Sequence, residues 1–103
     1  MSKCEVILCI VNTGFSEVVM DTAKQFGARG GTILNARGTA SKEAEKIFNI
    51  TIQPEKEIVM ILIPSKLKNN ILQGLYTVIG TDTAAQGIAF SLPVDDVVGV
   101  KIE

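Results

Sequence analysis

Few residues of this chain have the type and spacing to do chemistry. Thr81-Asp82-Thr83-Ala84-Ala85-Gln86-Gly87 is small, hydroxyl-rich and ends in glycine before an apolar run. Such a loop lets backbone N–H groups approach an anion closely, although an ordinary helix-to-strand connection has the same composition. Asp95-Asp96 is the one adjacent acidic pair, but neighbours on an extended chain point to opposite faces and cannot act together. Histidine, the usual proton carrier near neutral pH, is absent. Cys4 and Cys9 lie five apart in a segment that reads as a strand, on opposite faces and beyond disulfide reach. They read as small buried, inert thiols, and with no further cysteines a transition-metal site is not expected. The Walker A and GxGxxG phosphate motifs are missing. The chain therefore reads as a domain that binds and is not an enzyme.

These residues must be positioned by a single core. The sequence has 103 residues, 47% of them hydrophobic, which suits one domain spanning 1–103 and excludes a disordered composition. Ten basic and eleven acidic residues leave a net charge of -1, so there is no electrostatic footprint for nucleic acid or anionic lipid. The apolar run Val6 to Val11 is too short for a signal-peptide core or a membrane span; the expected location is the cytoplasm, not embedded in a membrane.

The pattern of elements is β-α-β-β-α-β. Glu5 to Val11 and Glu57 to Ile63 are continuously apolar strands, the second ended by Pro64. Phe15 to Phe26 carries Val19, Ala23 and Phe26 at helical spacing, with Ser16 as a cap and Gly27 as the stop. Thr32 to Arg37 follows Gly30-Gly31 as a second strand. Leu67, Ile71, Leu75 and Val78 or Ile79 mark a second helix before Gly80. Gly87 to Leu92 is the fourth strand, and Val97 to Ile102 a short closing one. Between Gly38 and about Lys56 no sheet-like pattern occurs, which predicts a long mobile loop at about 38–56. Ser41 to Phe48 gives it a helical bias, and Ile47, Phe48, Ile50 and Ile52 suit docking on a partner or folding back.

That order predicts an α+β, ferredoxin-like fold, with both helices on one face of an antiparallel sheet. Strands apolar at every position would then leave rows of large side chains on the other face. Fully burying one such side chain contributes about 1.5–3 kcal/mol, and a bare patch of them invites association. A homo-oligomer packed through the open sheet face is expected.

Gly31-Thr32-Ile33-Leu34-Asn35-Ala36-Arg37-Gly38, the long loop, the Ile58 to Pro64 strand and Thr81 through Lys101 together resemble the PII signal-transduction proteins. The likeness covers nearly the whole chain and rests on order and spacing. It implies a homotrimer holding an adenine nucleotide (ADP or ATP) between subunits and controlling a target protein, a transporter or metabolic enzyme, through the loop at 38–56. Carried over by position, adenine and ribose would meet Ile10, Thr32, Gly38, Leu62 and Thr81. The phosphates would meet the Ala85-Gln86-Gly87 backbone, with Arg37 and Lys101 supplying charge. The lysine that follows the loop glycine in that family is Ile88 here, and the two tail arginines are Gly99 and Lys101. A charged hydrogen bond contributes about 1.5–3 kcal/mol, so triphosphate binding should weaken and let ADP or AMP compete with ATP. Gly38-Thr39-Ala40-Ser41-Lys42 lacks the glutamine that helps hold magnesium and 2-oxoglutarate, so the resemblance leaves both open. The sole tyrosine, Tyr76, is not in the loop, which argues against control by uridylylation there.

The alternative is a trimeric divalent-cation tolerance protein of the CutA kind, which shares the fold; the lack of histidine argues against it. An acylphosphatase-like hydrolase would need an arginine-rich phosphate loop after the first strand, and none is present.

Overall fold

Alternation of burial along the first strand defines the architecture. In a computed structural model that describes residues 3–39, 45–47 and 54–100, strand β1 (Cys4–Asn12) buries Ile7, Cys9 and Val11 completely while Val6, Leu8 and Ile10 stay half-buried. Strand side chains alternate between faces, so one face of β1 meets the core and the other is open. Strand β3 (Glu55–Pro64) repeats this: Val59, Ile61 and Ile63 are fully buried, and Ile58, Met60 and Leu62 are not.

Two helices supply the cover. Helix α1 (Ser16–Gln25) buries Val19, Thr22 and Ala23, spaced three and four apart, with Glu17 in its first turn and Lys24 in its last, each favourable to the helix dipole. Phe15 occupies the cap position and no side chain caps the helix, so Ser16 is its first residue and not its cap. Helix α2 (Lys68–Ile79) follows a turn of 3-10 helix at Ser65–Leu67 and buries Ile71, Leu75 and Ile79. Gly74 leaves room on α2 for the Phe26 ring from the end of α1. Lys68 pairs with Glu5 across 3.4 Å, satisfying a carboxylate on the core-facing side of β1.

The sheet is antiparallel with strand order β2-β3-β1-β4, where β2 is Thr32–Arg37 and β4 is Ile88–Val94. This is the ferredoxin-like arrangement expected from the sequence. Strand β4 contains Pro93, tolerated because β4 is at the sheet's edge. The closing strand expected from Val97 is not formed over residues 97–100, where Val98 is 98% exposed. Extended backbone needs a partner edge, and none of the described residues supplies one there.

In register, the open face consists of three rows: Thr32-Met60-Leu8-Phe90, Leu34-Ile58-Ile10-Ile88 and Leu62-Val6-Leu92. Leu34, Ile88, Phe90 and Leu92 are 40–51% exposed, far above what apolar groups of this size retain in a core. Of the long connection, residues 45–47 are helical and Ile47 is exposed. Ser41, Phe48, Ile50, Ile52 and the tail cation Lys101 lie outside the described residues.

Candidate functional site

The residues singled out above are spread along the sheet, Ile10, Thr32 and Leu62 in three successive rows of its open face and Arg37 at one end. Ile10 lies on the open face between Ile58 and Ile88, and Thr32 lies opposite Met60 in the next row. Leu62 opposes Val6 one row further on. Rows repeat every two residues, about 7 Å, so these three share a face without touching one another. Arg37 is exposed at the end of β2, opposite Glu55. The Gly38 N–H donates to the Pro54 carbonyl at 2.6 Å, pinning together the two ends of the long connection.

The 80–87 loop is held by its own backbone. The Gly80 carbonyl accepts from the Thr83 N–H at 2.9 Å and the Thr83 hydroxyl at 2.8 Å, and the Thr83 carbonyl accepts from the Gln86 N–H at 3.0 Å. Gly87 N–H donates to Ile79 O at 2.6 Å. Two of the three amides expected to face phosphate are thus engaged, Gln86 within the loop and Gly87 with the end of α2. Ala85 is fully buried, and Gln86 adopts φ 45°, the left-handed region rarely used by residues with a side chain. Thr81 is exposed and, with Gly87, lines a cavity of about 310 Å³ between α2 and the start of β4, walled by Leu72, Tyr76, Ile79 and Ile88.

Asn12 and Lys56 were not foreseen. Asn12 is 6% exposed, and its N–H donates to Ala85 O at 2.9 Å. Its Nδ2 donates to Ala84 O at 3.0 Å and to Gln86 Oε1 at 3.3 Å, while Oδ1 accepts from Lys56 Nζ at 2.6 Å. The signal was only a polar residue closing an apolar run, and a lysine opening another. Lys56 brings a cation to the same end of the sheet as Ile88.

Cys4 and Cys9 are free and buried. Burial pushes the Cys9 thiol up to about 12, which holds it protonated and unreactive at neutral pH. Asp95 and Asp96 are exposed beyond β4. No helix among the described residues is long and apolar enough to cross a membrane.

The model of the family described as nitrogen regulatory protein P-II matches residues 4–103. No curated protein sequence matches the chain significantly. Among solved structures, Arabidopsis thaliana PII bound to citrate superposes with a TM-score of 0.72 at 22% identity, over 97% of this chain and 82% of that one. CPII from Thiomonas intermedia K12, a nitrogen regulatory PII-like protein bound to ADP, AMP and bicarbonate, gives 0.69 at 16% identity, over 94% of this chain and 96% of that one. The B. subtilis GlnK–ATP complex gives 0.69 at 16%, over 91% of this chain and 84% of that one. At such identities these likenesses carry the fold.

Proposed function

The chain belongs to the nitrogen regulatory protein P-II family, and on that premise we propose that it is a non-enzymatic cytoplasmic regulator that binds an adenine nucleotide between copies of itself. The supporting observation is that Ile10, Thr32 and Leu62 sit on an uncovered apolar sheet face, with the 80–87 loop at its end. A pocket on such a face needs a second chain for its other wall, and packing the face into a homotrimer provides one. Adenine and ribose then lie against Ile10, Thr32, Gly38, Leu62 and Thr81. The phosphates point toward Ala85, Gln86 and Gly87, with Arg37 and Lys101 as counter-charges. Two relatives of this fold carry ADP and AMP, or ATP.

Because the Gln86 and Gly87 amides are already bonded, to Thr83 and to Ile79, a phosphate that recruits them must exchange those bonds. Nucleotide binding and loop conformation are then linked, and a ligand shifts the loop only by its differential affinity for the two states. The readout is the connection at 38–56, through which a target transporter or metabolic enzyme is engaged.

The test is a thermal-shift series with AMP, ADP and ATP, with and without magnesium and 2-oxoglutarate. Ligand at a hundredfold above Kd stabilises by about 2.7 kcal/mol per site, several degrees for a domain of this size. No shift with any adenine nucleotide would refute the reading, and a shift with copper or zinc alone would favour a metal-tolerance role.

A further inference from the structure

We infer that Asn12 couples the 80–87 loop to the strand ends that carry the 38–56 connection. The link stands on geometry; only what drives the loop rests on the nucleotide reading above. Asn12 closes β1, and five of its hydrogen bonds run in three directions. Its N–H and Nδ2 hold Ala85, Ala84 and Gln86; its Oδ1 holds Lys56; its carbonyl accepts from the Phe15 N–H at 3.3 Å.

The side-chain amide has one usable orientation. Lysine offers only donors and a backbone carbonyl only accepts, so flipping the amide would break the bonds to Lys56 and Ala84 together. With Asn12 at 6% exposure, an unpaired amide there carries a desolvation penalty that water does not relieve.

From Lys56 the path reaches the base of the connection. Its Cε lies 3.1 Å from where a Cβ on Gly38 would stand, so its stem rests against Gly38, whose N–H holds Pro54. The turn after Asn12 is fixed to the same strand: Thr13 N–H donates to Glu55 O at 3.4 Å and Gly14 N–H to Glu57 Oε1 at 2.8 Å. Residues 12–14 thus form a plate with the 84–86 segment on one side and 55–57 on the other. Gln86, held at φ 45°, contributes its side chain to that plate, so rearrangement of its backbone removes one of Asn12's partners. The loop and the strand ends move together or the amide loses its bonds.

The test is a double-mutant cycle read in the unliganded protein by hydrogen exchange at the Gly38 amide. Gln86→Gly frees the loop; Asn12→Asp keeps the acceptor for Lys56 and removes the donor to Ala84 and Gln86. Gln86→Gly should speed Gly38 exchange about tenfold, the order expected when one buried hydrogen bond is lost, and have no such effect in the Asn12→Asp background. Lys56→Met cuts the other side of the link and should abolish the effect equally, which keeps the test decisive if Asn12→Asp melts. Equal effects of Gln86→Gly in all backgrounds would overturn the coupling. Thermal shift with ADP on wild type, Asn12→Asp and Lys56→Met separates the two readings. With AMP and ATP run alongside, coupling without a shift from any adenine nucleotide leaves the link standing and the nucleotide reading refuted, whereas a nucleotide shift without coupling does the reverse.

Discussion

The Gly87 amide donates to the Ile79 carbonyl at 2.6 Å, tying the residue before β4 to the last residue of α2. The approach is possible because Gly87 has no Cβ. One placed there would stand 2.7 Å from the Ile79 oxygen and 2.8 Å from Val11 Cγ1, one a backbone atom and the other a core side chain.

Gly87→Ala should therefore lower stability through overpacking, by about 1–3 kcal/mol. A melting curve on the purified variant checks this: a drop of several degrees is expected. An unchanged midpoint would mean that the loop yields without cost.

Phe90 and Leu8 face each other on the open sheet, with Phe90 40% exposed. Phe90→Glu should leave the fold intact and dissociate the proposed homotrimer, because a charge buried at an interface without a partner is strongly unfavourable. Light scattering after gel filtration distinguishes the outcomes. A wild-type monomer, or a variant that stays trimeric, would count against assembly through this face.

Ile88 is 51% exposed beside Gly87. On the proposed nucleotide reading, Ile88→Lys should supply a phosphate cation and raise ATP affinity about tenfold relative to AMP, the lower end of what a charged hydrogen bond contributes. Calorimetric titration of both nucleotides measures it. An unchanged ATP-to-AMP ratio would place the phosphates elsewhere.

Cys9 has its thiol raised from an ordinary 9.0 to about 12 by burial. Below pH 9 the folded and unfolded states are both protonated and stability is indifferent to this group. As pH rises from 9 toward 12 only the unfolded state loses the proton, so the stability contributed by the buried neutral thiol is progressively lost. Cys9→Ser should flatten that alkaline decline in melting temperature. Native Cys9 should also resist alkylation at pH 8 until the protein is unfolded.

The fold was legible because its signals are local. The runs at Val6 to Val11 and Ile58 to Ile63 are apolar on both parities, which specifies strands with two apolar faces. Helical spacing located both helices to within a residue or two. The strand expected from Val97 was misread because strand formation depends on a neighbouring edge, and composition does not record one. Asn12 was illegible for a related reason: its burial comes from the loop folding across it, through bonds to residues 72 and 74 positions away. Gly87 was read as letting its backbone approach an anion; the room its missing Cβ leaves is used as well by Ile79 and Val11, a packing role that composition does not reveal.

Pro93 has a bearing on how association ends. A sheet grows from chain to chain when an edge strand offers an unbroken series of N–H and C=O groups, the route to fibrils. Strand β4 is interrupted at Pro93, and the opposite edge, β2, is only six residues long. Copies of this chain are thereby steered away from stacking edge on edge into open-ended ribbons. In the proposed packing, contact through the broad apolar faces would consume those faces once, and the assembly would stop at a finite number of subunits.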